Sequence, residues 1–308
     1  MRAKAIVVGA GIIGSLVAYE LRKRGLEVLL LDAGFPGRAT DASAGMLAPH
    51  PEGLRGELLE AALWSIAAYP ALLEELKPFG PVEAGFSGVY VAALSPSEAE
   101  LWEAHDPLPY PVRGGQGGRR FPGGYVNPKA LRQALLRALS AQGVPLLEAR
   151  VEEIREGWVG WAGGEARGRW TVLALGAWGG RFGLPVRPLK GEALLLQGPP
   201  PPGPLFAGGG YILPRGEGVY LGATEREGWA EGVDLFGLRW LADYAHERFP
   251  LLEGAWFLGV LWGFRPAGEL FVREVAPGVL AAGGHGRNGV LLAPWTARQV
   301  LRLLGVEG

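Results

Sequence analysis

The chain has no cysteine. That excludes disulfides, thiolate metal ligands, iron–sulfur clusters, a cysteine nucleophile and any cofactor linked through cysteine. Histidine is scarce: His50, His105, His246 and His285 show no ligand spacing such as HxxxH, so no metal is expected. The GxxxxGK[ST] and GxSxG motifs are missing, which leaves P-loop phosphoryl transfer and serine hydrolysis without support. Charge of one sign is missing as well. With 30 basic and 31 acidic side chains and a net charge of -1, no long-range field draws the chain to nucleic-acid backbones. Long apolar runs are limited to residues 5–19, where three glycines interrupt the stretch and the charge-rich Glu20-Leu21-Arg22-Lys23-Arg24 follows directly. A spanning helix needs roughly 20 apolar residues, and a secretory segment needs a cleavage-like end. A cytoplasmic protein with neither membrane nor nucleic-acid partner is therefore expected. Lysine (five residues) and methionine (two) are rare beside 51 glycines, 25 prolines and 11 tryptophans, a bias that points to a GC-rich genome.

What is present is a globular composition. At 308 residues and 48% hydrophobic, the chain can bury one large core or two interleaved ones. Residues 3–8 form a short Ile/Val-rich run, and residues 12–24 carry Ile12, Ile13, Leu16, Val17 and Leu21 at helical spacing. The pattern predicts buried strand, tight turn and helix. The turn is Gly9-Ala10-Gly11-Ile12-Ile13-Gly14. In a GxGxxG turn the first glycine makes the bend, the second lets a diphosphate approach, and the third lets helix pack on strand. Residues 26–31 then predict a second buried strand ending at Asp32-Ala33, where a carboxylate would accept from ribose hydroxyls. This fingerprint does not separate NAD from FAD, which share the ADP half. Gly37-Arg38-Ala39-Thr40-Asp41-Ala42-Ser43-Ala44-Gly45-Met46-Leu47 follows, a run of small residues that leaves backbone amides free to meet a flat ring.

With that segment the chain resembles the flavin amine oxidases of the D-amino-acid oxidase type, and within them the glycine oxidases of thiamine-thiazole biosynthesis. The GRxTxxxAGMLxxH pattern is specific, and it implies flavin contacts at Thr40, Ala44, Gly45 and Met46, with Asp41 standing where relatives carry a small hydroxyl residue. The resemblance extends to Val151 as an adenine contact and to Gly176 and Ala177 near the diphosphate. It extends also to Tyr211 in YxxPR…GAT, to Arg265 at the end of the apolar run 259–266, and to the loop His285-Gly286-Arg287-Asn288-Gly289. It implies that Arg265 and Tyr211 take a substrate carboxylate, that Arg287 lies near substrate and flavin, and that a helix over 290–304 aims its start at the flavin. An Arg in apolar surroundings needs an anionic partner in any case.

The implied fold is α/β: a Rossmann-type FAD-binding domain (1–78, 124–183 and 263–308) with an inserted antiparallel-sheet substrate domain (79–123 and 184–262). Between the motifs, periodicity predicts a helix over 56–76 interrupted near Pro70, strands over 82–94, an irregular loop over 107–124, a helix over 129–142 and a strand over 144–154. The implied reaction is oxidation of a small amino acid, glycine first, with noncovalent FAD, O2 as acceptor and H2O2 as product. A homo-oligomer and a downstream thiazole synthase are implied as partners. Other readings share the motifs: a D-amino-acid or sarcosine oxidase or dehydrogenase, or a flavin-holding or RNA-associated module without turnover. The last rests on Asp41, the short 267–270 segment and the Arg/Gly tract 113–120.

Overall fold

The computed structural model describes residues 1–307. Strand Arg2–Val8 lies inside the first sheet because its apolar residues 5–8 are buried on both faces. It pairs in parallel with Val28–Asp32 on one side and with Gly164–Leu173 on the other. Leu146–Glu148 continues the parallel order beyond Val28–Asp32, and Val279–Gly283 continues it beyond Gly164–Leu173. Helices Ile12–Lys23, Gly56–Leu76, Pro128–Ala141 and Ala293–Leu303 supply one core against this sheet. The hairpin Val151–Arg155 and Trp158–Trp161 packs a smaller core on its other face.

The second sheet is largely antiparallel. Its long strand Arg187–Gln197 pairs along its whole length with Trp256–Ala267, and on the opposite side with Gly218–Gly222. Tyr211–Arg215, Leu205–Ala207, Val89–Ala93 and Gly117–Phe121 follow in order, and the short strand Arg226–Glu227 pairs with the start of Arg187–Gln197. Helix Leu235–Arg248 covers this sheet with Leu241, Tyr244 and Ala245. A three-stranded ribbon of Met46–Leu47, Gly124–Val126 and Ala84–Gly85 lies beside both sheets. The chain alternates between the layers, as the inserted-domain reading requires. Trp256–Ala267 runs through position 263 as one strand of the second sheet. Among the described residues no helix is long and apolar enough to cross a membrane.

Four local expectations are corrected. Helix Gly56–Leu76 is continuous through Pro70. The proline ring faces outward while Ala61, Ala62, Ser65, Tyr69, Leu72 and Leu76 bury one stripe, and that packing outweighs the lost backbone bond. The tract 107–124 is not wholly irregular: Gly117–Phe121 is a strand paired with Val89–Ala93. Its glycines hide the period, but a Cβ at Gly117 would stand 2.1 Å from the Ala104 carbonyl oxygen, so close backbone approach selects them. The run 144–154 is two strands in different pairings, Leu146–Glu148 and Val151–Arg155. The last helix begins at Ala293, with Pro294 in its first turn, so it is the loop before it that reaches the site.

Candidate active site

The Gly9–Gly14 turn is built by contact distances. Gly9 has φ +103°, and a Cβ there would lie 2.2 Å from the Ala174 carbonyl oxygen; one at Gly14 would lie 1.8 Å from the Gly9 oxygen. Gly11 differs: its Cβ would meet only Thr40 Oγ1, at 3.4 Å, so its exposed face is open. The helix that follows has no capping side chain at Gly11, and Ile12 N–H donates instead to Thr40 Oγ1 at 3.0 Å. An open helix start of this kind is an anion site.

Asp32 sits at the strand end, as its spacing requires. Its Oδ2 accepts from Ala10 N–H at 2.6 Å, while Oδ1 accepts from Gly34 N–H at 2.9 Å and from Arg38 Nη2 at 2.5 Å. A carboxylate offers about four acceptor positions, so one remains at Oδ2 for a hydroxyl donor. Arg38 also donates to Asp41 at 2.9 Å, and Arg132 lies 3.6 Å from Asp41. Two cations and two carboxylates thus neutralise one another at the mouth of the turn.

These groups open on a cavity of about 420 Å³ that runs between the sheets. Gly9, Gly11, Ile12 and Ile13 line it, with Asp32 and Ala33 beyond. Thr40, Ala44, Gly45 and Met46 line it as well. So do Val151 and Gly176, and the loop His285, Gly286, Arg287, Asn288 and Gly289. Five expected contacts do not reach it. Ala10 is fully buried, with its N–H on Asp32; Gly14 fits under Gly9; Leu47 and Ala177 are core residues; and Asp41 turns to Arg38 and Arg132. His285 reaches it through its loop, whereas its ring bonds Thr296 Oγ1 at 2.9 Å. Burial pushes this imidazole down to about 4, so it is neutral at pH 7. His50 stacks on Phe121 at 5.8 Å and does not line the cavity.

The small-residue segment is held from outside. Arg215 Nη2 donates to the Ala44 carbonyl at 2.6 Å, and the Tyr220 hydroxyl donates to the Ala42 carbonyl at 2.9 Å. Gly45, at φ +75°, lies so close to Val126 that a Cβ would stand 1.9 Å from its oxygen.

At the far end Tyr211, Arg265 and Arg287 meet, and a second cavity of about 460 Å³ opens beside them. Arg265 Nη1 donates to the Thr224 carbonyl at 3.2 Å and lies 3.9 Å from Glu225. Tyr211 stacks on Tyr220 at 6.2 Å, and desolvation holds its phenol above the usual value. Arg287 donates through Nε and Nη2 to Glu52 Oε2, at 2.9 and 2.5 Å. Glu52 was not expected here, and neither were Phe35, Trp178 and Arg181. Phe35 and Trp178 stack at 5.4 Å, with the Arg181 guanidinium 5.2 Å from the Phe35 ring. No periodicity marks these residues, because they come from loops and a short 3₁₀ helix. Among the described residues no group of three or more His, Asp or Glu is placed to hold a metal ion.

The family model described as FAD dependent oxidoreductase matches residues 4–303. The chain belongs to that family. It is an FAD-dependent oxidoreductase of the D-amino-acid oxidase type, as the motifs implied. It is 31% identical to a glycine oxidase of Geobacillus kaustophilus, over 97% of this chain and 92% of that protein. The crystal structure of glycine oxidase from Geobacillus kaustophilus superposes with a TM-score of 0.90 at 30% identity, covering 100% of this chain and 95% of that one. A Nostoc protein named bifunctional protein ThiO/ThiG is 30% identical over 97% of this chain, which spans 52% of that longer protein.

The residues present fit FAD. The open helix start suits a diphosphate, the free position on Asp32 suits a ribose hydroxyl, and Gly11 leaves room that a side chain would fill.

Proposed function

We propose that this oxidoreductase oxidises a small amino acid, glycine first, to iminoacetate and glyoxylate while O2 is reduced to H2O2, in supply of thiamine thiazole biosynthesis. What carries the reading is the convergence of Tyr211 and Arg265 where the two cavities meet. When bound, FAD would supply the two-electron acceptor and the route to O2. Gly11, Ile12, Ile13 and Asp32 would hold its ADP half without a covalent link, and Thr40, Ala44, Gly45 and Met46 would lie along its ring.

The chain's own residues then bind and orient. Arg265 presents a planar fork to the substrate carboxylate, a geometry lysine does not offer. Tyr211, held protonated by desolvation, donates a hydrogen bond to the same group. Arg287 stands at the boundary of substrate and cofactor, with Glu52 balancing its charge. Catalysis is then chiefly orientation plus fixed electrostatics, with no side-chain base required.

The layer division supports a flavin-binding and a substrate-binding part, with the last return to the flavin-binding part placed after Ala267 and not at 263, because Trp256–Ala267 belongs to the second sheet throughout. A cytoplasmic homo-oligomer belongs to the same reading, as does work with a thiazole synthase, and the last alone is supported by the relative that joins ThiO to ThiG in one name. A second reading is a sarcosine or D-amino-acid oxidase, favoured by the second cavity, which has more room than glycine needs.

The test is an absorbance spectrum of the purified protein before and after anaerobic addition of glycine, followed by air. Flavin bands that bleach with glycine and return with peroxide uphold the reading. Bleaching with sarcosine or D-alanine alone moves the substrate, and a flavin that no amino acid reduces overturns the activity.

A further inference from the structure

The triplet Lys190-Gly191-Glu192 lies inside the long strand of the second sheet, in a run that reads from sequence as plain sheet. Gly191 faces the cavity, and a Cβ built there would stand 2.4 to 2.5 Å from three atoms of the Arg265 guanidinium. The guanidinium therefore lies flat on the Gly191 backbone. Its neighbours in sequence point the other way into a dry layer, where Lys190 Nζ meets Glu192 Oε1 at 2.9 Å with both residues almost fully buried. Arg226 Nη2 reaches the same oxygen at 2.7 Å.

Glu192 grips Thr224 three times. Thr224 N–H donates to the Glu192 carbonyl at 3.1 Å, Glu192 N–H donates to Thr224 Oγ1 at 2.9 Å, and Thr224 Oγ1 donates to Glu192 Oε2 at 3.0 Å. The Thr224 carbonyl, fixed in this way, is the one that accepts from Arg265 Nη1 at 3.2 Å. A buried carboxylate between two cations is costly to form and is not needed to pair the strands, so its place demands a reason.

We propose that Gly191, Thr224 and Glu192 are positioning residues forming the seat of Arg265: Gly191 is its floor, the Thr224 carbonyl its lateral stop, and Glu192 the anchor that keeps Thr224 in register. The proposal rests on the reading of Arg265 as the carboxylate-binding residue. The seat leaves the other guanidinium edge free and aimed into the cavity, so the substrate carboxylate meets an arginine that has little freedom left to lose.

The experiment compares holoenzyme variants by steady-state kinetics with glycine, by competitive inhibition with acetate, and by FAD affinity from flavin fluorescence. In Gly191→Ala the added methyl meets the flexible end of a side chain, so the fold stands while the guanidinium lifts. Its KM for glycine and its acetate inhibition constant rise about tenfold, because small misplacements of a positioned group are expensive. FAD affinity and melting temperature stay as in the parent. Thr224→Val weakens acetate binding, and Thr224→Ser, which keeps the hydroxyl, restores it.

The seat is overturned if Gly191→Ala binds acetate normally, or if its defect lies in FAD affinity or melting temperature alone. Arg265→Ala separates the two layers of the argument. Loss of acetate binding there, with Gly191→Ala unaffected, sinks the seat and leaves the carboxylate reading standing. Normal acetate binding by Arg265→Ala overturns both.

Discussion

Arg287 and Glu52 form a forked pair across the mouth of the site, both guanidinium contacts falling on one oxygen, Glu52 Oε2. Glu52 is nearly buried, with its side chain 7% exposed, whereas Arg287 is 48% exposed. The pair holds a cation close to the substrate without leaving it free to take the carboxylate from Arg265. Glu52→Gln should release it, and acetate should then inhibit roughly two- to fivefold more strongly, since a half-exposed pair is worth only about 0.5–1 kcal/mol. Inhibition unchanged or weakened by the substitution would refute this.

Asp32 should govern cofactor retention. Asp32→Ala removes the ribose acceptor and also leaves Arg38 with Asp41 as its only carboxylate partner. FAD dissociation should rise by about tenfold or more, as for loss of a charge-assisted hydrogen bond. Asp41→Ser should cost less, because Asp41 acts only through the two arginines. Titration of the apoprotein with FAD, followed by fluorescence, gives both values, and equal losses would contradict the ranking.

Tyr69 ties the long helix to the cofactor loop. Its hydroxyl, fully buried, donates to the Val290 carbonyl at 2.5 Å. Tyr69→Phe leaves that carbonyl without its donor and should destabilise the fold by about 1–3 kcal/mol. Thermal unfolding of the two proteins, followed by circular dichroism, checks it. A melting temperature equal to the parent's would show that the bond adds nothing.

His285 should make stability fall in acid. Its folded value is pushed down to about 4 by burial, from an ordinary 6.5. Between those values the unfolded chain binds a proton that the folded chain excludes, so unfolding becomes easier as pH drops through this window. The full loss is on the order of 3 kcal/mol by pH 4. His285→Gln should flatten that part of the profile. Parallel slopes for the two proteins, measured by denaturant unfolding between pH 7 and 4.5, would rule it out.

Much of the first layer was legible because its signals are local. Gly9, Gly11 and Gly14 are demanded by contacts within one turn, and Asp32 by its place at the end of the next strand. Tyr211 and Arg265 were visible through motif resemblance. Glu52, Trp178 and the seat of Arg265 were not. Glu52 sits in a loop with no period, and Gly191 looks like any glycine in a chain that has 51 of them. The tract 113–120 read as loop because its strand is made of glycines and arginines, whose pairing with Val89–Ala93 has no local mark.

The sequence by itself determined the dinucleotide turn, the order of the main elements, and the exclusion of cysteine and nucleotide-loop chemistry. Each of these depends on residues a few positions apart, or on what the chain lacks. Only the tertiary structure decided that Asp41 serves Arg38 and not the cavity, that Glu52 holds Arg287, and that Arg265 rests on Gly191 beneath Thr224. Apart from the Arg38–Asp41 contact, three residues long, those relationships join segments far apart in the chain, as Arg132 does with Asp41, and burial fixes them: a charge removed from water must find its partner wherever packing brings one.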